Sequence, residues 1–496
     1  MSKYILAIDQ GTSGTKSLVF DEKGQSIAKG SATLHTNFLA EGFVEQDPEA
    51  IYSNVLTSVK ECLVCFENNG FQTTEIAAMG ISNQRETFVI WDKHGKPLHP
   101  AIVWQCKRSV QVCEQLKEQG LSGLVQEKTG LVIDPYFSAT KLIWLLQNNE
   151  QISTAIREGN AYFGTIDTWL LYKFTNGTEY VTDHTNASRT LLFNLHTLQW
   201  DHELINIFGL RGINLPSIKS SAALFGETSL NGLLPANVAI AALIGDSHAA
   251  AFGEGCFQKG MAKATLGTGC SLLMNIGDKP IASSNGMVTT VCWSIDGRID
   301  YALEGVIVSC GATINWLKNE LGLFNNSGET AAMADDLDSN EGVYLVPAFS
   351  GLGSPHWQMD RKASITGITF GTTKKHLVRA ALESIAFQVC DVVVAMEKDA
   401  GISLKELMTD GGITSNNFVL QFIADLLNKS VASTKMPDVS ALGAAYMAGL
   451  ASGIYENIQT LKTFDRFNTV NTPGKNVENA RNAYIGWQHE LLQSRH

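Results

Sequence analysis

No part of this chain is apolar for long enough to cross a bilayer, which takes about 20 residues of continuous hydrophobic sequence. The run "VAIAALIG" at 238–245 stops far short of that and reads as a buried strand. Near the start, Asp9 interrupts the first apolar run before a secretory hydrophobic region can form. Basic charge is in deficit: 37 Lys and Arg against 49 Asp and Glu leave a formal net charge of -12. That balance argues against nucleic acid and against an anionic membrane surface, both of which demand a basic face. Cysteine is sparse and odd in number, 9 in 496 residues, which gives no disulfide framework and suits a reducing compartment. The only close pair, Cys62 and Cys65, falls in "IYSNVLTSVKECLVCFENNG", where Ile51, Val55, Val59 and Cys62 recur at helical spacing. Burial on a helix face explains it, since a structural zinc site would need a second pair at comparable spacing. Proline-rich linkers, low-complexity tracts and charge runs are missing as well. The expectation is a soluble, cytosolic protein with no nucleic-acid partner and no membrane insertion.

The chain is too long for one core, and its 44% hydrophobic residues are ample for two large domains. Short strands such as "AAMGISN" and "VYLVPAF" alternate with helical stretches such as "KHLVRAALESIAFQVCDVVVAME", which predicts a mixed α/β fold. One internal echo suggests how the domains are arranged. "ILAIDQGTSGTKSLVF" near the start resembles "MAKATLGTGCSLLMNI" from residue 261, and Gly11 and Gly267 lie about half a chain apart. Two domains of related design, each presenting a Gly-Thr bend to a shared cleft, would produce such an echo.

"DQGTSGTKS" at 9–17 has the ingredients of a Walker phosphate loop, but Thr15 rather than glycine precedes Lys16, and strand residues follow. The stretch predicts a hairpin whose bend can still turn backbone N–H groups onto an anion. Asp9, beside that bend, is placed either to close a tight turn or to hold magnesium against bound phosphates. In "LIGDSHAAAFG", Asp246 follows a buried strand and precedes an alanine-rich helix, where an Asp most often serves as a cap. Two clusters favour more. "GISNQRETFVIW" places Arg85 and Glu86 after a strand, and "GLVIDPYFSATKLIWLLQNN" places Tyr136 among turn residues. Together with Asp246 they can bind the hydroxyls of a polyol and accept a proton from an attacking oxygen. In "EGVIVSCGATINWLKNEL", Gly311 and Asn315 share a helix face. "LMTDGGITSNNFVLQFIADLL" reads as strand, Asp410-Gly411-Gly412 bend and a helix from near Asn416, a geometry that suits a nucleotide or merely a turn.

With these stretches quoted, the sequence resembles the FGGY carbohydrate kinases over nearly its whole length, and among them the glycerol kinases. "SNQRETFVIWDKHGKPLHPAIVWQ", "TDHTNASRTLLFN", "YALEG", "VPAFSGLGSPHW" and "DGGITSNNF" occur in the family's order, with signatures around Tyr136 to Asn148 and Ala363 to Glu383. The resemblance implies two ribonuclease-H-like, actin-like domains around a central cleft, here residues 1–253 and 254–496. It implies ATP and magnesium as cofactors, a small polyol or sugar as substrate, and a homodimer or higher homo-oligomer. Carried over position by position, it assigns Thr12, Ser13, Gly14 and Lys16 to the transferred phosphate and Asp9 to magnesium. Gly267 and Thr268 fall at the nucleotide phosphates, and Gly311, Asn315, Gly412 and Asn416 at the nucleotide. Arg85, Glu86, Trp104, Tyr136, Asp246 and Ser247 fall at the acceptor, with Asp246 as general base. The implied reaction is phosphorylation of a primary hydroxyl, of glycerol in the first place or of a larger polyol or ketose. A non-catalytic, nucleotide-driven binding protein shares the fold, but has no reason to keep an acceptor site and a base together. The departures from the family pattern are Lys16 for arginine, Asn315 for glutamine, Ser247 and His248 for two glutamines, Ser271 for phenylalanine and Cys106 for aspartate. The family's basic regulatory loop is not recognisable in "LNGLLPANVAI".

Overall fold

The structure, a computed structural model, describes residues 3–493. Thirteen strands form its principal sheet. The first half of the chain supplies β1 (Tyr4–Gly11), β2 (Gly14–Phe20), β3 (Ser26–Thr33), β4 (Ile76–Asn83), β5 (Ala222–Thr228) and β6 (Val238–Gly245). The second half supplies β7 (Met261–Leu266), β8 (Cys270–Gly277), β9 (Val288–Ile295), β10 (Arg298–Ile307), β11 (Glu406–Asp410), β12 (Ser430–Thr434) and β13 (Phe467–Asn471). Their order across the sheet is β13-β12-β11-β7-β8-β10-β9-β5-β6-β4-β1-β2-β3.

That order contains the same motif twice. In one half the antiparallel meander β3-β2-β1 continues into the parallel strands β4 and β6. In the other, β10-β8-β7 continues into the parallel β11 and β12. The hairpins that the sequence echo points to, β1–β2 and β7–β8, hold equivalent places, with Gly11 opposite Gly14 and Leu266 opposite Cys270. Within the sheet the two units are joined, among the described residues, at the pair Ala222 and Ile295. Central strands such as β1 are apolar on both faces, because helices cover both sides of the sheet where the strands run parallel.

Six helices bear on the site: α1 (Pro48–Asn68), α2 (Asp246–Gly253), α3 (Gly311–Asn319), α4 (Lys374–Ala400), α5 (Asn417–Leu427) and α6 (Val439–Ala451). Asp47 caps α1 by accepting from Glu49 N, and Pro48 opens it. Ile51, Val55, Val59 and Cys62 form the buried face, as their spacing predicts. α6 crosses both α2 and β4 at backbone contact. A Cβ on Gly443 would stand 1.8 Å from Ala249 O, and one on Gly80 2.3 Å from Ala444 O. Glycine is therefore the residue that lets α6 seat α2, and with it Asp246, against the sheet.

Candidate active site

Three parallel strands end on one edge of the sheet, and each delivers a polar residue there. β1 ends beside Asp9, β4 runs on into Gln84, Arg85 and Glu86, and β6 passes through Gly245 into Asp246 at the first turn of α2. Ligands of open α/β sheets collect at this carboxyl edge. Gly245 is the residue in the capping position of α2, so Asp246 is not spent on the cap that its sequence context alone would favour.

The Gly11–Gly14 bend is held by a buried set of glutamines. Thr12 Oγ1 donates to Gln84 Oε1 (3.2 Å), Gln46 Nε2 donates to Thr12 O (2.7 Å), and Gln84 Nε2 donates to Gln46 Oε1 (3.0 Å) and Gln10 Oε1 (3.2 Å). Such a satisfied network fixes the bend before any ligand arrives. Asp9, Thr12, Ser13, Gly14 and Lys16 line an open cleft of ≈ 970 Å³. Lys16 is ion-paired with Asp438 at 2.9 Å, and Lys29 with the same carboxylate at 2.6 Å.

Trp104 joins this bend to the rest of the site. Its Nε1 donates to Thr12 Oγ1 (2.9 Å), and its ring meets Tyr136 edge-on at 5.5 Å. The loop carrying Tyr136 is tied down by Lys141, a buried ammonium that donates to Pro135 O (2.9 Å) and Tyr136 O (2.7 Å). Burial lowers the Lys141 pKa to about 8. Burial and the Glu86 charge push the Tyr136 hydroxyl well above its usual value, so it stays a neutral donor.

Behind these lies a square of buried charges. Arg85 grips Glu304 with both terminal nitrogens (3.1 and 2.9 Å), and Arg189 reaches Glu86 Oε1 (2.5 Å) and Glu304 Oε2 (2.6 Å). Although burial pushes Glu304 upward, Arg189 and Arg85 hold it well below the usual carboxylate range. For Glu86, burial outweighs the same arginines and the pKa rises. Arg85 Nε also donates to Asp246 Oδ1 (3.1 Å), which accepts from Ser247 N (2.6 Å) as well. The Asp246 side chain is 38% exposed, whereas Glu86 and Glu304 are 1% exposed. Asp246 is thus the carboxylate of the cluster that is open to solvent, with Oδ1 pinned and Oδ2 without a protein partner among the described residues.

Asp9 lies close to it. Ser82 Oγ donates to Asp9 Oδ1 (2.9 Å), while burial and the charge of Asp246 raise its pKa to about 7. Two carboxylates that repel one another beside the Gly-Thr bend suit a divalent cation. Among the described residues no group of three or more His, Cys, Asp or Glu gathers as a self-sufficient metal site.

The second bend, Gly267-Thr268-Gly269, is built into the start of α3. Gly311 N donates to Gly267 O (2.9 Å), Ala312 N donates to Thr268 O (3.0 Å), and a Cβ on Gly311 would come within 2.7 Å of Gly267 O. Asn315 sits exposed one turn along α3. β11 pairs with β7, which sets the Asp410-Gly411-Gly412 bend beside Gly267; Gly411 has φ +91 and no room for a side chain against Leu266. The α5 helix starts where the sequence places it. Asn416 Oδ1 accepts from Val419 N as its cap, and Asn416 Nδ2 donates to Thr330 Oγ1 (2.9 Å), so that side chain is committed to the fold.

The sequence-predicted residues therefore fall into two groups, one at each Gly-Thr bend, with the charged cluster beside the first. Arg189, Glu304, Lys141 and the three glutamines escape sequence reasoning. Arg189 and Glu304 lie inside the quoted "TDHTNASRTLLFN" and "YALEG", yet nothing local reveals ion pairs that span more than a hundred residues. Of the departing residues, His248 and Cys106 are buried, while Ser247 and Ser271 are partly open.

Two family models match this chain. The one described as FGGY family of carbohydrate kinases, N-terminal domain, covers residues 4–253, and its C-terminal counterpart covers residues 262–452. The chain belongs to this family. A glycerol kinase of Brevibacillus brevis is 46% identical over 491 residues, 98% of this chain and 97% of the relative. A glycerol kinase of Bacillus anthracis is 44% identical over 489 residues, 98% of each. Among solved structures, Plasmodium falciparum glycerol kinase with ADP superimposes with a TM-score of 0.95 at 36% identity, over 100% of this chain and 99% of that one. The FGGY kinase is thus a two-domain, actin-like α/β protein, and its repeated hairpins are the family's architecture. No helix among its described residues is long and apolar enough to cross a membrane.

Proposed function

We propose that this FGGY kinase transfers the terminal phosphoryl group of ATP to a primary hydroxyl of glycerol. The observation that carries this reading is the half-open Asp246: Arg85 and the Ser247 N–H hold one oxygen, and the side chain remains exposed beside Asp9. Arg85, Glu86, Trp104, Tyr136 and Ser247 hold the acceptor around it. Thr12, Ser13, Gly14 and Lys16 receive the transferred phosphate from one side, and Gly267 and Thr268 the remaining phosphates from the other. Gly311, Asn315, Gly412 and the backbone at Asn416 border the nucleoside. As the acceptor oxygen forms its bond to phosphorus, the bond to the β,γ-bridging oxygen breaks, ADP leaves, and the hydroxyl proton passes to Asp246. A magnesium ion at Asp9 would neutralise charge on the phosphates. The glycerol kinases of Brevibacillus and Bacillus, similar over nearly the whole chain, support glycerol as acceptor.

Asp246→Asn keeps an oxygen for Arg85 but loses the basic one. It is expected to lower kcat by about two to four orders of magnitude, the usual worth of a general base, with nucleotide affinity changed little. Turnover with glycerol within a few-fold of the native enzyme would remove Asp246 from the mechanism.

A further inference from the structure

The wall facing the charged cluster is made of hydroxyls in a row. Lys263 is fully buried, and its Nζ donates to Ser247 Oγ (2.9 Å) and Thr265 Oγ1 (2.8 Å). Ser247 Oγ lies 3.3 Å from Ser271 Oγ, and Ser271 Oγ lies 3.3 Å from Glu304 Oε1. The chemistry at the two ends sets the direction of the row. An ammonium can only donate and an ionised carboxylate can only accept, so protons run from Lys263 to Ser247, from Ser247 to Ser271 and from Ser271 to Glu304. Glu304 is kept ionised by Arg189 and Arg85, which fixes that end.

Both serines are partly exposed, and both of the contacts that join Ser271 into the row are long for O–H···O bonds, whose usual range is about 2.5–3.0 Å. A ligand hydroxyl placed between the serines would accept from Ser247 and donate to Ser271, improving a weak link at no cost in unpaired groups. Both side chains are also short, and each is only partly buried. In the phosphoryl-transfer reading Arg85, Glu86 and Asp246 are the charged groups that hold a triol. The row offers a donor and an acceptor for one more hydroxyl.

We propose that Ser247 and Ser271, positioned by Lys263, form a subsite for a fourth hydroxyl, so that four-carbon polyols are acceptors for this enzyme alongside glycerol. This rests on the phosphoryl-transfer reading above. The chemistry is unchanged: a terminal hydroxyl attacks phosphorus, the β,γ-bridging bond breaks, and Asp246 takes the proton.

The test is kcat/KM with ATP and magnesium for glycerol, erythritol, D-threitol and L-threitol, in the native chain and in Ser271→Ala. At least one tetritol is expected within about 10-fold of glycerol in the native enzyme. In Ser271→Ala the ratio of tetritol to glycerol kcat/KM should fall by about 10- to 100-fold, the range for losing one buried hydrogen-bonding partner. A variant that still turns over glycerol is folded, so the ratio is readable there. Glycerol turnover with no tetritol turnover, or a ratio unmoved by Ser271→Ala, overturns the subsite alone. No turnover with any acceptor overturns the phosphoryl-transfer reading and the subsite with it.

Discussion

Arg189 touches two buried carboxylates at once, Glu86 and Glu304, and both are nearly sealed from water. Removing it would strand two negative charges with only Arg85 left to answer them. Breaking a buried ion pair from one side typically costs about 3–5 kcal/mol. Arg189→Ala is therefore expected to lower the urea midpoint by that amount of stability, with no change in the slope of the transition. A midpoint unchanged within error would mean that the charged square is not braced as described. At this scale the sequence was legible where one residue and its immediate neighbours carry the signal. Asp246 after a buried strand, Asn416 at the start of a helix and the Gly-Thr bends between paired strands all have the local structure their neighbours predict. The roles of Arg189 and Glu304 were not legible, because their partners lie more than a hundred residues away and only folding brings them close; that of Lys141 was not either, because nothing in the sequence marks a lysine that turns back onto the carbonyls five and six residues before it.

Helix α2 holds Asp246 in place because α6 lies against it with almost no spacing. Ser440 Oγ near the start of α6 donates to Asp246 O (3.1 Å), and Gly443 meets Ala249 backbone to backbone. Gly443→Ala forces a methyl group into a gap of 1.8 Å, and the neighbour that must yield is backbone. Overpacking of that kind costs about 1–3 kcal/mol. The variant is expected to unfold at a lower temperature and to lose kcat, since α2 can relieve the clash only by moving the end that bears Asp246. An unchanged melting temperature would show that the helices have slack the geometry denies. The helices themselves were readable from periodicity: "KHLVRAALESIAFQVCDVVVAME" is the core of α4, and the Ile51, Val55, Val59 and Cys62 face of α1 is buried. Their crossing at glycines was not, because a glycine within a helix pattern gives no hint of which backbone approaches it.

The whole molecule is one topology used twice, with the β1–β2 and β7–β8 hairpins at equivalent positions on either side of a cleft. This repetition was visible as the echo between "ILAIDQGTSGTKSLVF" and "MAKATLGTGCSLLMNI", since the same strand-bend-strand unit needs the same apolar pattern and the same glycines wherever it occurs. The join within the sheet at Ala222 and Ile295 left no mark in the sequence, because one pair of small and apolar residues looks like any other. The same twofold architecture serves kinases and nucleotide-driven binding proteins alike, so the decisive question is where the phosphoryl group goes. Phosphorus NMR of the purified protein with ATP, magnesium and glycerol answers it in one tube. Loss of the ATP γ resonance is expected, with matching growth of ADP and of a phosphomonoester signal split by the two protons of a primary carbon. Release of inorganic phosphate in place of the phosphomonoester, or ATP left intact, would show that glycerol is not the phosphoryl acceptor.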